Sequence, residues 1–254
     1  HLEAVERGEI KRLMITMPPR HGKSELASRR FPAWLFGRNP KLQIIAASYN
    51  SDLAADFGRE VRNIVADRRY QAIFNTTLAD DSSAANRWHT QHGGMYAAVG
   101  VGTATTGRGA HILLIDDPFK DREEADSERR RDVVWDWYRS TLYTRLMPGG
   151  AIVVIQTRWY EDDLAGRLLA QEPEQWEVLE LPAIDADGNA LWPEWYDRPA
   201  LDRIKNTIGP REWSALYQQR PQPDEGTFFK REWFKTQDLE PGDGDYHIRS
   251  EEHT

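Results

Sequence analysis

The sequence predicts an α/β fold with three layers, in which a central, mostly parallel sheet lies between two layers of helices. A small lid or linker subdomain is expected to follow. Several short runs are apolar throughout, which indicates strands buried on both faces, as in a parallel sheet. These runs alternate with stretches that follow the 3.6-residue period of a helix. Such alternation favours an α/β sandwich.

The first elements are predicted from apolar runs and the residues that bound them. Residues 12–16 form a short apolar run that predicts a strand, and residues 25–30 have the pattern of a helix start. The run at 42–47 predicts a second strand. It ends in Ser-Tyr-Asn, after which a helical pattern covers 51–66. The order strand, helix, strand, helix is that of a parallel sheet.

The middle of the chain continues the alternation. Residues 95–99 and 112–115 predict strands on either side of a glycine-rich loop at 100–109. A long helix is predicted at 126–146, because its apolar positions recur with helical spacing. The Pro-Gly-Gly sequence at 148–150 should end that helix.

The second half begins with the same pattern and then loses it. Strands are predicted at 151–155 and 176–181, with a helix at 161–170 between them. From residue 182 onward Pro, Trp and charged residues interleave, and one helix is predicted at 210–219. Most of the tryptophans are expected to serve packing. The predicted division is a core at 1–181, a lid or linker subdomain at 182–236, and a flexible tail or the start of a truncated nuclease domain at 237–254.

The most informative stretch is Met-Pro-Pro-Arg-His-Gly-Lys-Ser at 17–24. It ends as a phosphate-binding loop does and lies between a predicted strand and a predicted helix. There, backbone N–H groups and the helix N-terminus bind phosphate oxygens, Lys23 neutralises β/γ charge, and Ser24 offers a hydroxyl to Mg²⁺. One departure is Met17, which stands where the first glycine is usual. The residues predicted to bind nucleotide are Pro18, Pro19, Arg20, His21, Gly22, Lys23, Ser24 and Glu25.

An acidic pair follows the predicted strand at 112–115. Asp116 is expected to bind Mg²⁺, directly or through water, and Asp117 to polarise the attacking water. Asp-Asp-Pro is also good turn chemistry, so the pair alone leaves a structural reading open. Gln156 and Thr157 follow another strand and are predicted to lie near the γ-phosphate, because ligands of such sheets bind beyond the carboxyl ends of the strands. Helix capping is the alternative for these two residues.

Arg108 lies between two glycines of the loop at 100–109. An accessible arginine there could stabilise transition-state charge, in its own subunit or in a neighbour's. An ordinary exposed loop arginine is the alternative.

Composition bounds the class of protein. The chain has 254 residues, of which 39% are hydrophobic, enough for one large domain or one domain with an appendage. It has no cysteine, which excludes disulfides, thiolate metal sites and a cysteine nucleophile. The net charge of −8 argues against a coat of nucleic acid, although one face could still bind DNA. No apolar run approaches the length of a membrane span, so no membrane partner is expected.

Together, three motifs resemble the ATPase motifs of the terminase large subunits of tailed phages and prophages. They are Met-Pro-Pro-Arg-His-Gly-Lys-Ser-Glu at 17–25, Leu-Leu-Ile-Asp-Asp-Pro at 113–118 and Val-Ile-Gln-Thr-Arg-Trp at 154–159. The sequence Ala-Leu-Tyr-Gln-Gln-Arg-Pro at 215–221 resembles the segment that leads out of this family's ATPase domain. The resemblance covers residues 1–235, and the order and spacing of the motifs are specific.

The resemblance implies a viral DNA-packaging motor of the ASCE, RecA-like type of P-loop ATPase. Such motors form a homo-oligomeric ring at the portal of an empty capsid, in the cytoplasm of the bacterial host, and pump double-stranded DNA with ATP and Mg²⁺. The implied partners are the DNA, the portal protein and the small terminase subunit. Full-length relatives also carry an RNase H-like nuclease. Asp243 and Asp245 lie in a glycine turn rather than a metal triad, so no nuclease activity is expected here.

The resemblance also implies roles for individual residues. Arg20 is the arginine of the phosphate loop, and Arg108 lies where a neighbouring subunit's arginine originates in some relatives. The adenine-contacting segment that usually precedes the first strand is expected to be missing. The implied catalytic residues are Lys23, Arg20, Asp117 and Arg108, the metal ligands Ser24 and Asp116, and the coupling residues Gln156, Thr157 and Arg158.

Three alternative classes remain open. A helicase-like or repair ATPase would need motifs in a second RecA-like domain, for which the chain has no room. A small-molecule kinase would need an arginine-rich lid, which fits the acidic pair and the polar coupling strand less well. A non-catalytic assembly module would not require the intact Lys23, Ser24, Asp116 and Asp117.

Overall fold

Strands and helices alternate along the residues that the computed structural model describes, which are 1–82, 84–104, 107 and 109–222. The strands are β1 (Arg12–Thr16), β2 (Gln43–Ser48), β3 (Arg87–His89), β4 (Met95–Gly100), β5 (Ala110–Asp116), β6 (Leu146–Gln156) and β7 (Glu177–Glu180). The α-helices are α1 (Leu2–Glu6), α2 (Phe31–Arg38), α3 (Ser51–Ala66), α4 (Arg68–Ile73), α5 (Arg122–Asp126), α6 (Glu128–Trp137), α7 (Leu164–Gln171) and α8 (Arg198–Glu212). The wider π-helical turns are Glu25–Arg30, Tyr138–Leu142 and Trp213–Tyr217, and Tyr143–Arg145 is a 3₁₀ turn.

In this described part of the chain, seven strands form one sheet in the order β3-β4-β2-β5-β6-β1-β7. All neighbours are parallel except β3 and β4. β6 lies between β1 and β5, so Gln156 pairs beside Thr16 on one side, while Ile155 pairs beside Asp116 on the other. Because parallel strands end at the same edge, the segments that follow β1, β5 and β6 meet there. The predicted fold class is confirmed.

The apolar strands have a hydrophobic layer on each face of the sheet. Leu13 and Ile15 of β1 belong to the cluster that includes Val61 of α3, whereas Met14 belongs to the cluster that includes Leu168 of α7. Successive side chains of a strand point to opposite faces, so an uninterrupted apolar run supplies both clusters at once. This is the physical reason for the three layers.

The helix predicted at 126–146 is confirmed over 128–145. α6 ends at Trp137, but the π-helical turn Tyr138–Leu142 and the 3₁₀ turn Tyr143–Arg145 continue the helical backbone up to β6, which begins at Leu146. The segment at 148–150, which was expected to end a helix, lies inside β6 at a bulge where the register with β5 shifts. Gly149 has a φ of 79° there, a conformation that glycine adopts without strain. Pairing with β5 on either side of the bulge overrides the local turn signal.

The helix predicted at 210–219 is confirmed over 210–217. α8 begins at Arg198, but Gly209 has a φ of 81° and a ψ of 172°, so the helix is interrupted there and resumes at Pro210. The π-helical turn Trp213–Tyr217 continues it. The helical segment 198–208 was not predicted. α1, α4, α5 and β3 were not predicted, since each is a short element without a clear period.

Residues 182–222, here called the lid, have a small apolar cluster of their own around Ala183, Leu201 and Trp213. Two ion pairs anchor the end of α8 to α5: Glu212 accepts from Arg122 at 2.6 Å, and Arg211 pairs with Asp126 at 3.0 Å. The division at residues 181 and 236 stays a prediction, and the segment 237–254 lies outside the described residues.

The expectation that the tryptophans serve packing holds for part of the set. Among the described tryptophans, the exceptions are Trp192 and Trp195 of the lid, which are 41% and 63% exposed. They stack on each other, with ring centroids 5.8 Å apart. Trp233 lies outside the described residues. The buried members are Trp88, Trp135, Trp137, Trp176 and Trp213.

Candidate active site

The loop that follows β1 turns through two residues with positive φ. Arg20 has a φ of 61° and Gly22 of 87°, and only the glycine adopts this region without strain. Met17 avoids it. Its N–H donates to the Gln156 carbonyl and its own carbonyl accepts from the Thr157 hydroxyl, each at 3.2 Å. Met17 therefore continues the pairing of β1 with β6, which explains why no glycine is needed at this position.

Asp116, the last residue of β5, is only 1% exposed. Its Oδ2 accepts a hydrogen bond from Ser28 Oγ at 2.5 Å, and its Oδ1 has no hydrogen-bond partner among the described residues. Burial raises the pKa of Asp116 to about 6, and the Asp117 carboxylate adds to this effect. Lys23 and the hydroxyls of Ser28 and Ser24 oppose it. Asp116 thus combines a costly buried charge with an oxygen that is available to a ligand.

Asp117 joins the segments that follow three strands. Its backbone has a φ of 43°, outside the regions that non-glycine residues prefer. Its N–H donates to the Ile155 carbonyl at 2.9 Å, and its carbonyl accepts from the Tyr49 N–H at 3.1 Å. Oδ1 accepts from the Thr157 N–H at 2.9 Å, and Oδ2 lies 2.8 Å from Lys23 Nζ. Four contacts therefore hold this strained residue in place.

Lys23 links the phosphate loop to the acidic pair. Its side chain is 10% exposed and forms the ion pair with Asp117. Burial by itself would lower the pKa of Lys23, but Asp117 and then Asp116 outweigh burial, so the pKa is raised. The ammonium group is therefore charged where the loop meets the two carboxylates.

The three predicted coupling residues face different surroundings. Gln156 is 1% exposed, and neither atom of its side-chain amide has a partner among the described residues. Thr157 contacts both the loop and Asp117, as given above. Arg158 points away from the loop, because its Nε donates to the buried Asp163 at 2.9 Å. Its backbone N–H donates to Gln219 Oε1 of the lid at 3.2 Å. The structure thus brings Gln156 and Thr157 to the loop, and ties Arg158 to α7 and the lid.

The remaining loop residues differ from one another in their surroundings. Pro18 is buried, and the Pro19 carbonyl accepts a hydrogen bond from His21 Nδ1 at 2.8 Å. Arg20 is exposed at the edge of a cavity. Glu25 pairs with two arginines of its own π-helical turn. Glu25 is therefore engaged with neighbouring side chains rather than with the acidic pair.

Two cavities flank Lys23. The larger has a volume of about 930 Å³ and is bounded by the loop, α3 and the lid. The smaller, of about 330 Å³, is mostly apolar and lies beside α1 and the end of β7. The larger cavity is lined by Pro19, Arg20, Gly22, Lys23, Ser24, Glu25, Arg29, Leu53, Phe57, Asp117, Trp192, Trp195 and Tyr196. The smaller is lined by His1, Leu2, Glu3, Ile15, Met17, Lys23, Leu26, Ala27, Leu179 and Leu181.

This region also contains Ser28, Asp163 and the lid aromatics, which were not predicted to belong to it. Ser28 could have been found, because it lies four residues after Ser24 and so on the same face of a helical turn. Asp163 fixes Arg158 and caps α7 by accepting from the Gly166 N–H at 3.0 Å. The lid aromatics carry no local signal, since only the fold brings them to the loop. Arg108 lies outside the described residues.

The chain belongs to the terminase large subunit family. The sequence profile described as "Terminase large subunit, T4likevirus-type, N-terminal" matches residues 14–236, which is most of the chain. The predicted resemblance is confirmed. No curated protein sequence matches the chain.

Solved structures of phage terminases share the fold. The large terminase of bacteriophage HK97 is 14% identical with a TM-score of 0.56, and the match covers 86% of this chain and 48% of that one. The ATPase domain of the Thermus phage P74-26 large terminase is 16% identical with a TM-score of 0.59, covering 85% and 90%. The large terminase of the thermophilic bacteriophage D6E, solved in complex with ATP-γ-S, is 10% identical with a TM-score of 0.52, covering 84% and 50%. The chain thus spans about half the length of the HK97 protein.

Among the described residues, no helix combines the length and the apolar character needed to cross a membrane.

Proposed function

We propose that this chain is the ATP-hydrolysing motor domain of a viral DNA-packaging terminase large subunit. The observation that carries the proposal is the contact between Lys23 of the phosphate loop and Asp117 of the acidic pair, 2.8 Å apart at the carboxyl edge of a parallel sheet. A charged lysine, a helix start and two carboxylates at one edge suit the binding and hydrolysis of a nucleoside triphosphate. Membership of the terminase family supports the same conclusion.

The ion pair suggests how Asp117 is activated. Lys23 is the natural partner of the β- and γ-phosphates, so an incoming nucleotide competes with Asp117 for the ammonium group. When Lys23 turns to the phosphates, the Thr157 N–H still holds Asp117 Oδ1, while Oδ2 is released. Oδ2 can then accept a proton from, or orient, the attacking water. Binding of substrate thereby produces the base that the reaction needs.

The residues present fit a Mg²⁺ ion. Asp116 Oδ1 is buried without a partner among the described residues, and the Ser24 hydroxyl belongs to the adjoining loop. Over the same residues, no three His, Cys, Asp or Glu side chains group as a metal site. Mg²⁺ does not require such a group, because it is bound through one or two carboxylates together with substrate phosphates. When bound, the ion would neutralise charge that develops on the phosphates.

The smaller cavity is the proposed binding site of the nucleotide's adenine base. It touches Lys23 on one side and is otherwise lined mainly by apolar side chains, among them Ile15, Leu26 and Leu179. A flat, mostly apolar base suits such a pocket. Residues 1–3 contribute to it, so part of the base contact is proposed to come from the segment that precedes β1.

The wider roles follow from the family and are part of the same proposal. The chain would act in a homo-oligomeric ring on double-stranded DNA, with the portal protein and the small terminase subunit, in the cytoplasm of the bacterial host. Arg108 would be the arginine that one subunit of the ring supplies to its neighbour's site, where it would stabilise the charge of the transition state. Gln156 and Thr157 would couple hydrolysis to movement, and Arg158 would join them to the lid. No nuclease activity is proposed for this chain.

The test is ATP turnover of the wild type and of Lys23→Met, with and without linear double-stranded DNA and over a range of protein concentrations. Loss of charge compensation at the β- and γ-phosphates should reduce turnover by about 10²- to 10³-fold. Lys41→Met is the matched control, because Lys41 is exposed and lies just before β2, at the other end of the strands. Turnover that survives Lys23→Met, or that falls equally in Lys41→Met, would contradict the proposal.

A further inference from the structure

His21 is the least exposed polar residue of the phosphate loop, with 3% of its surface accessible. Its Nδ1 donates to the Pro19 carbonyl at 2.8 Å, which fixes the ring relative to its own loop. Burial lowers the pKa of His21, and Lys23 lowers it further, although the Pro19 carbonyl opposes them. The imidazole is therefore neutral near pH 7, and it behaves as a flat ring rather than as a cation.

One face of the His21 ring packs against the lid. Tyr196 stacks on His21 with a centroid distance of 4.8 Å and an interplanar angle of 20°. Tyr217 approaches edge-on, at 6.5 Å and 81°. Next to His21 in the chain, Gly22 faces Trp192, whose ring would lie 3.9 Å from an added Cβ. His21 thus contacts two aromatic residues of the lid, and a third, Trp192, lies close to Gly22.

The two ends of α8 are held in different ways. Tyr196 precedes the helix by two residues and rests on the phosphate loop. Glu212, at the far end, is fixed to Arg122 of α5 by two hydrogen bonds of 2.6 and 2.9 Å. Between them, the helix is interrupted at Gly209, whose φ is 81° and ψ 172°. A displacement of the loop therefore acts on one end of α8 while the other end stays anchored.

We propose that His21 is a positioning residue that couples the phosphate loop to the lid, so that nucleotide affinity and the order of the lid depend on each other. This inference rests on the proposed function. The loop holds Arg20 in a strained conformation, with a φ of 61°. The stack of His21 on Tyr196 opposes relaxation of that strain, so the loop is kept ready for phosphate. Coupling between two sites is reciprocal, and bound nucleotide must therefore also order the lid.

The experiment is a double-mutant cycle on the affinity for Mg·ADP, measured by calorimetry with the whole chain. His21→Ala and Tyr196→Leu should each weaken binding by about 2- to 10-fold, the range expected for loss of one aromatic pair. The double variant should bind no more weakly than the weaker-binding single variant, because both substitutions remove the contact of His21 with Tyr196. Tyr196→Phe keeps the ring and should bind as the wild type does.

A second readout separates coupling from structural damage. Mg·ADP should slow amide hydrogen exchange in residues 192–205 of the wild type but not of Tyr196→Leu. Leu142→Ala is the control for structural damage, because Leu142 is fully buried and belongs neither to the lid nor to the His21 stack. It should lower the stability of the protein and leave the affinity for Mg·ADP within about 2-fold of the wild type.

Three results would overturn the inference. They are additive losses of affinity in the double variant, an unchanged affinity in Tyr196→Leu, and a loss in Leu142→Ala equal to that in Tyr196→Leu. If the wild type binds Mg·ADP, such results contradict the coupling alone. If the wild type binds no Mg·ADP, the proposed function fails and the coupling fails with it.

Discussion

Asp116→Asn should make the nucleotide-free protein more stable at neutral pH. The ionised Asp116 carboxylate is almost fully buried, and burial, with the adjacent Asp117, raises the pKa of Asp116 to about 6. Asparagine has nearly the same shape and can still accept the hydrogen bond from Ser28, but it carries no charge. The substitution therefore removes the cost of keeping this charge out of water.

The magnitude follows from the pKa. The ordinary value is 3.8, and the difference from about 6 corresponds to about 3 kcal/mol in the free energy of unfolding. Because Asp116 holds its proton more tightly in the folded state than in the unfolded state, the contribution of Asp116 to wild-type stability falls as the pH rises from 3.8 to about 6. The variant lacks this loss. The difference in the free energy of unfolding between the variant and the wild type should be largest above pH 6 and should vanish below pH 3.8, the ordinary pKa of the group.

The assay is urea unfolding of both proteins in EDTA at several pH values between 3.5 and 7.5, about the window set by the two pKa values. Only the difference between the proteins is used, because other carboxylates titrate in the same range. Asp185→Asn is a control of opposite sign, since backbone and side-chain hydrogen bonds from Asn189 lower the pKa of Asp185. That variant should lose stability at neutral pH. An Asp116→Asn difference that does not change with pH would refute the reasoning.

Two further substitutions test the base pocket and the packing of α7. Leu26→Asp places a charge in the smaller cavity and should weaken Mg·ADP binding by about 10-fold, while binding of Mg·pyrophosphate stays unchanged. Both affinities are measured by calorimetry. Equal losses for the two ligands would contradict the placement of the adenine base in this cavity. Gly166→Ala would bring a Cβ to 1.7 Å from the Glu161 carbonyl oxygen, so the loop before α7 must move. The cost should be about 1–3 kcal/mol, seen as a lower thermal midpoint, and an unchanged midpoint would contradict this steric argument.

Much of the site could be predicted because its signals are local. The phosphate loop, the acidic pair and Gln156 each follow an apolar run directly. A run of this kind marks a buried strand whatever the rest of the chain does. Parallel strands then bring their carboxyl ends to one edge, so the positions of Lys23, Asp116 and Asp117 at that edge follow from the sequence.

Other features depend on contacts that no local pattern encodes. The Pro-Gly-Gly segment has the chemistry of a turn, yet pairing with β5 on both sides keeps it in a strand. The lid aromatics read as core residues, yet Trp192 and Trp195 are exposed beside the loop. In both cases tertiary contacts outweigh a correct local preference.

The sequence by itself determined the fold class, the family and the identity of the groups that carry the proposed chemistry, because these depend on short motifs and on hydrophobic period. The tertiary structure decided the insertion of β6 between β1 and β5, the ion pair of Lys23 with Asp117 and the stack of His21 on Tyr196. These contacts join residues that are far apart in the chain. Their distances and burial, and so their charge states, exist only once the sheet and the lid have assembled.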